Sequence, residues 1–191
     1  MRMIDGAVKY IRLNGETVRD ILDGVKTQMR FALKNQDILG GTMTESGLLL
    51  KLPNCSASTD EVIKPPYEIG EVIGVKEAWA KVDDKFYYKS TEVLPEHHCD
   101  ETWRSSVCMP NEAVRLFLKV TNIGFQRLQD ISITEIEREG VWLPGTMFPD
   151  YTFAQRWDNA LSKSTRENIG WNKNPFVWVV SFEIMEATDN E

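Results

Sequence analysis

Residues 114–128, VRLFLKVTNIGFQRL, constrain the fold more than any other stretch of this chain. The run is rich in Val, Ile, Leu and Phe and contains no proline, a composition that favours an extended strand packed on a sheet. Gly124 interrupts it and is expected to mark a bulge or bend. A second run of the same character, PFVWVVSFEIME at 175–186, predicts a strong final strand. Two long strands need partners, and the remaining sequence supplies them.

Residues 7–13 read as a first strand. Asn14 is placed to cap the helix that follows, in which Val18, Ile21, Leu22 and Val25 recur at the spacing of one buried helix face. Gly24 falls where a left-handed helix stop belongs. From Lys26 the period changes: Met29, Phe31 and Leu33 alternate with Gln28, Arg30 and Ala32, as in a half-buried strand. Residues 35–47, NQDILGGTMTESG, read as a loop, LLLKL as a strand, and PNCSASTDEV as irregular chain. Two prolines and a glycine fix a turn in IKPPYEIGE. VIGVKEAWAKV and KFYYKS then form a hairpin about Asp83 and Asp84. Residues 91–113 are mostly irregular, and ordered loops of that length are often functional.

Two helices are expected late in the chain. One spans 130–140, with Ile133, Ile136 and Val141 on its apolar side and Gly140 as its stop; the other spans 152–161 and carries Phe153, Trp157 and Leu161. Trp142 and Trp157 read as packing between barrel and helix, and Trp171, Phe176 and Trp178 as core. These elements predict a single α+β domain over residues 1–191. It is a small mixed, mainly antiparallel β-barrel with two or three helices. A loop insertion is expected around 40–60 and a long loop around 90–112.

Composition narrows the function. The 29 acidic and 22 basic residues give a net charge of −7, which argues against broad coating of nucleic acid through its phosphates. A local basic cleft remains compatible with that total. No apolar run reaches the length of a membrane span, and the start lacks the apolar region of a secretory signal, so a cytoplasmic protein is expected. Cys55, Cys99 and Cys108 do not make a disulfide framework. His97, His98, Cys99 and Cys108 lack the ligand spacing of a zinc site, so no metal and no cofactor is expected. No phosphate-binding loop, dinucleotide fingerprint or nucleophile elbow is present.

VRDILDGVKTQMR resembles the helix-to-strand opening of the ASCH family, part of the PUA-like superfamily. The fuller order, ILDGVKTQMR, KPPYEIGEVIGVKEAWA, YYKS, WRSSVCMP, RLFLKVTNIGFQRLQDISITEIEREGV, RWDNAL and GWNKNPFVWVVSFEIM, resembles the phage- and prophage-encoded type. The resemblance covers nearly the whole chain apart from residues 40–60 and the C-terminus. It implies a PUA-like β-barrel with a cleft that takes RNA or nucleotides. It also implies kinship with amidohydrolases that remove an acyl group from N4-acetylcytidine. Those enzymes use a lysine, which falls on Lys26, and a glutamate, which falls on Glu139 in EREGV. Their threonine nucleophile falls on Met29, whose thioether cannot accept an acyl group as a hydroxyl does. Thr27 is adjacent, but its one-residue offset from Lys26 aims its side chain elsewhere.

The residues carry their own reading beside the resemblance. Lys26 and Arg30 follow a helix end and lie on the polar phase of the strand with Gln28. They form either a cationic rim for phosphate or carbonyl oxygen, or a solvated face. Glu77 and Trp79 alternate in KEAWA and so share a face, as a carboxylate and ring suited to a nucleobase would, or as an ion pair beside a core tryptophan. Arg115 is the candidate partner of Glu77, because a lone charge in an apolar strand is costly. Trp103 and Arg104, with Met109, form a movable flank over the cleft or pack conventionally.

Three functions are therefore expected. The first is a binding module for RNA, a nucleoside or a nucleotide, with Lys26 and Arg30 on the anionic part, Glu77 on a base edge and Trp79 or Trp103 stacking. The second is an amidohydrolase in which Lys26 activates Thr27 or water and Glu139 shuttles a proton. The third is a module that binds a host or phage protein.

Overall fold

The computed structural model describes residues 8–36, 40–44, 47–51, 61–95, 102–141 and 147–185. Among these, the first half forms β1 (Lys9–Arg12), α1 (Gly15–Leu22), β2 (Gln28–Ala32), β3 (Gly40–Thr44), β4 (Gly47–Lys51) and β5 (Glu61–Ile63). There follow β6 (Val72–Lys76), β7 (Trp79–Val82), β8 (Lys85–Tyr88), β9 (Leu116–Arg127), α2 (Ile133–Arg138), α3 (Pro149–Ala160), α4 (Lys163–Ile169) and β10 (Phe176–Ile184).

The main sheet runs β1-β6-β9-β10-β2 and curls into a half-barrel. Only its β1–β6 pair is parallel; β6–β9, β9–β10 and β10–β2 are antiparallel. The architecture is mixed α+β, with a three-stranded sheet β3-β4-β5 and the hairpin β7-β8 attached. Asp83 and Asp84 both adopt positive φ at the hairpin turn (46° and 63°), as a two-residue turn matching the strand twist requires.

β10 is buried on both faces, which is why PFVWVV reads as a continuous apolar run. Val177 and Val179 pack beneath α2 and α3 with Ile136 and Phe153. Val180 and Phe182 face the opposite side, where Met29, Leu118 and the α1 residues Val18 and Ile21 fill the half-barrel. Phe176 and Trp178 pack with Leu33 and Leu48 against the small sheet.

Several expectations are corrected. Four α-helices are present among the described residues, not two or three. α4, KSTRENI, has no apolar stripe to reveal it and is held by its cap, in which the Ser162 hydroxyl accepts from the Thr165 N–H at 3.2 Å. The loop expected at 35–47 contains β3, whose glycines hid it; Gly41 passes so close to Leu48 that an added Cβ would meet its Cδ1 at 2.8 Å. The stretch read as irregular ends in β5. Gly124 marks no bulge, since it pairs regularly with Val179; the irregularity falls where Ser181 pairs Asn122 and Phe182 pairs Val120, leaving Thr121 as the extra residue. Leu22 and Ile133 are exposed, so the buried faces of α1 and α2 are narrower than their apolar spacing suggests, and Val25, also exposed, lies beyond the end of α1. VIGVKEAWAKV is two strands in different sheets, broken at Glu77 and Ala78. Residues 97–99, with His97, His98 and Cys99, and residue 142, Trp142, lie outside the described residues, as does Cys55.

Candidate functional site

Two short helices end alike, and their ends meet. α1 stops at Asp23 with Gly24 beyond it at φ 71°, and α2 stops at Glu139 with Gly140 at φ 74°. Both glycines occupy the left-handed region that a side chain disfavours. The chain leaving α1 then pairs with the end of α2. Lys26 and Glu139 form an antiparallel bridge, and the Thr27 N–H donates to the Arg138 carbonyl at 2.8 Å. The approach is tight, because a Cβ on Gly140 would lie 3.1 Å from the Lys26 Cβ.

This junction brings together side chains far apart in sequence. Lys26 Nζ donates to Glu139 Oε2 at 2.5 Å and to the Glu139 carbonyl at 2.9 Å. Arg30 Nη1 donates to Glu139 Oε1 at 2.7 Å and to Gln28 Oε1 at 3.1 Å, and Gln28 Nε2 reaches Ser181 Oγ at 3.1 Å. Arg30 Nη2 lies 3.2 Å from Glu135 Oε1. Lys26, Gln28, Arg30 and Glu139 are all buried. The polar phase of β2 is therefore covered by α2 and α3 and is not a solvated face. Both cations are paired with Glu139, which a buried charge needs if it is to stay charged, while Arg30 Nε and Nη2 are buried without a hydrogen-bond partner.

Glu135 does two jobs. Its Oε2 accepts from the Ser132 N–H at 2.9 Å in a capping box, while Oε1 faces Arg30. Burial opposes its ionisation, but the Ser132 N–H and the Arg30 guanidinium outweigh that and hold its carboxyl below the ordinary glutamate value.

Beside this cluster, at the free edge of β2, lies a cavity of about 250 Å³. Lys26, Arg30 and Glu139 line it on one side. Phe31, Phe153 and Trp157 give it aromatic walls, and Met29 and Val141 add apolar surface. α1 contributes Asp20 and Thr17 at the rim. Arg156 of α3 ties the rim together, donating to the Gly140 carbonyl at 2.7 Å, to Glu16 at 2.7 Å and to Asp20 at 2.8 Å. The volume sits just below the range of about 300–1,000 Å³ usual for drug-sized ligands, so it suits a small guest. An ammonium has three donors and Lys26 spends two on Glu139, so one is left for a guest.

The other expected site residues lie elsewhere. Glu77, 1% exposed, receives the Ser90 hydroxyl and Arg115 Nε, the latter at 3.0 Å. Arg115 also donates to Ser90 Oγ at 3.0 Å and Thr91 Oγ1 at 2.9 Å, and its guanidinium covers the Tyr88 ring at 4.0 Å. This second cluster fastens the corner between β6 and β7, and none of its members lines the cavity. Glu77 and Trp79 do not share a strand face, because β6 ends at Lys76. Trp79 is buried with Met109, Ala113 and Val114. Met109, 2% exposed, is core and not part of a movable flank, and Arg104 is pinned by backbone hydrogen bonds in both directions with Trp79. Trp103 is half-buried and does not line the cavity, nor does Thr27.

The sequence reading missed Asp20, Arg156 and the aromatic walls as site residues. The i,i+4 spacing of Phe153 and Trp157 signals a helix face but not what that face covers. Arg156, a charge between two such aromatics, was the one available hint. Among the described residues no group of three or more His, Cys, Asp or Glu is placed to hold a metal, and no helix is long and apolar enough to cross a membrane.

No protein-family model matches the chain, and no curated protein is similar to it. Among solved structures the chain is similar to the crystal structure of protein EF3133 from Enterococcus faecalis V583, described with the family model DUF984. The identity is 10% and the TM-score 0.47, over 94% of this chain and 76% of that one. A likeness of that size carries no functional argument.

Proposed function

We propose that the chain is an ASCH-type member of the PUA-like superfamily and binds a nucleobase-bearing guest in the cavity beside Lys26, Arg30 and Glu139. The guest is a nucleoside, a nucleotide or an unstacked RNA base. One observation carries the reading: the lysine and glutamate that the resemblance pairs are 113 residues apart, yet they touch at the wall of an aromatic-sided cavity. Aromatic walls stack on a planar ring. The spare Lys26 donor and the remaining lone pairs of Glu139 match the mixed donors and acceptors of a base edge. Calorimetric titration with ribonucleosides tests it: one site per chain is expected, weakened at least about tenfold in Phe153→Ala and Lys26→Met. Full affinity in both variants overturns the assignment of the cavity.

A second reading, amidohydrolysis of an N4-acylated cytidine-like base, is favoured by the position of Met29. Its side chain lines the same cavity as Lys26 and Glu139, where a nucleophile in its place would face the guest. In the native chain water is the attacking group, since Thr27 is not on the cavity wall. Release of the free amine from N4-acetylcytidine, lost in Lys26→Met, is the expected result for an enzyme. Binding without turnover leaves the module reading.

A further inference from the structure

Arg30 is a cavity cation with an unfilled hydrogen-bonding edge. Its side chain is 1% exposed, and Nη1 donates to Glu139 Oε1 at 2.7 Å and to Gln28 Oε1 at 3.1 Å. Nε and Nη2 are buried with no hydrogen-bond partner. Those two nitrogens share one edge of the guanidinium, a fork that can donate to two oxygens of one phosphate or carboxylate. Glu135 does not fill it. Its Oε2 accepts from the Ser132 N–H at 2.9 Å and from the Ser132 hydroxyl at 3.0 Å, which anchors the carboxylate to the cap of α2. Its Oε1 lies 3.2 Å from Nη2 without forming a hydrogen bond. Folded chains rarely leave a buried donor unsatisfied, so two on one side chain call for a partner.

The cavity is the place for that partner. Arg30 lines it, and Phe153, one of its aromatic walls, lies against the guanidinium with 5.8 Å between Cζ and the ring centroid. The lining carries three cations, Lys26, Arg30 and Arg156, and two carboxylates, Asp20 and Glu139. Glu16 and Glu135 engage two of those cations from outside the lining, yet the Arg30 fork stays open.

From this we infer that the Arg30 fork is a phosphate subsite and that the guest is a nucleotide whose base lies against the aromatic walls. The inference rests on the nucleobase reading and names the form of its ligand. Two phosphate oxygens take Nε and Nη2, Nη1 keeps Glu139 and Gln28, and the third Lys26 donor stays with the base edge. Glu135, beside the same nitrogen, opposes the phosphate, so its charge lowers the affinity without closing the fork.

The test has two arms. In the first, the four ribonucleosides and their 5′-monophosphates are titrated into the protein. The monophosphate is expected to bind at least about tenfold tighter than its nucleoside, the worth of one charge-assisted hydrogen bond. Arg30→Lys keeps the charge and loses the fork, and is expected to remove most of that gap. Glu135→Gln keeps a capping side chain and removes the opposing charge, and is expected to widen the gap at least about threefold. A nucleoside that binds as tightly as its monophosphate overturns the inference and leaves the nucleobase reading standing. In the second arm the Arg30 Nε–H resonance of the native protein is followed by proton–nitrogen NMR. It is expected to shift saturably with the monophosphate and with inorganic phosphate alone, the two competing. A resonance that both leave unmoved, or phosphate that binds together with the nucleotide, overturns the inference. Failure of every nucleoside and nucleotide instead removes the nucleobase reading, and inorganic phosphate still decides the subsite.

Discussion

The ammonium of Lys26 lies 2.5 Å from Oε2 of Glu139, and their side chains are 9% and 7% exposed. Arg30 closes on the other oxygen of the same carboxylate, so one glutamate from the end of α2 bridges two cations at the edge of the main sheet, and Glu135 supplies a second carboxylate to Arg30. The pairing fixes how α2 docks and gives the cavity its polar wall.

Such a cluster is coupled and not additive. Lys26→Met leaves Glu139 buried with Arg30 alone and is expected to cost about 3 kcal/mol, the low end for breaking a buried pair. Glu139→Gln is destabilising too, and the double variant is expected to recover about 1–3 kcal/mol relative to the sum. Urea denaturation of the four proteins of this cycle measures the coupling. Strict additivity would show that the contact does not constrain the fold.

The two helix-ending glycines separate conformational strain from steric fit. Both have positive φ, but an alanine Cβ at Gly24 meets nothing within 4 Å, whereas at Gly140 it presses on Lys26 and Asp20. Gly24→Ala is expected to cost about 1–2 kcal/mol for the left-handed backbone alone. Gly140→Ala is expected to cost more and to impair guest binding as well. Thermal melts and nucleoside titration of the two variants check the difference.

Glu135 gives an acid signature. Its carboxyl titrates below the ordinary value of 4.5 in the folded chain, so its contribution is complete above that value. It is lost as pH falls through the lower folded-state value, because the unfolded chain takes up the proton first. Glu135→Gln is therefore expected to flatten the fall in stability below about pH 4.5 relative to the native protein. Denaturant midpoints measured from pH 6 to pH 3 report it, and identical acid limbs would contradict the assignment.

Met29 is the sharpest chemical probe. Met29→Thr puts a hydroxyl on the cavity wall beside the Lys26–Glu139 pair. Release of cytidine from N4-acetylcytidine is expected to appear, or to rise at least about tenfold over the native chain, since an activated nucleophile splits one hard step into two. An inert variant that still binds the nucleoside argues that the pair serves recognition only.

Much of this molecule is readable from local pattern. The periodicity of VRDIL, the stop at Gly24 and the β-rich runs at 114–128 and 175–186 each mark an element, because each records which face is buried. The sequence is silent where burial comes from another element. Gln28 and Arg30 look like a wet face until α2 and α3 cover them. Glu77 reads either as a carboxylate for a base edge or as the partner of Arg115 beside a core tryptophan; the pair with Arg115 is the one formed, and only Ser90, brought in by the β7-β8 hairpin, is not legible. α4 and β3 are hidden because polar residues and glycines carry no period. Arg156 joins the site only because α3 folds back over α1, a contact between segments 136 residues apart that no local pattern encodes.

Chemical-shift mapping with the tightest-binding ribonucleoside tests the central claim most directly. Perturbations confined to Met29, Phe31, Val141, Phe153 and Trp157, with Lys26 and Glu139 among them, are the expected result. Perturbations gathered around Glu77, Ser90 and Arg115, or none anywhere at saturating nucleoside, would contradict it.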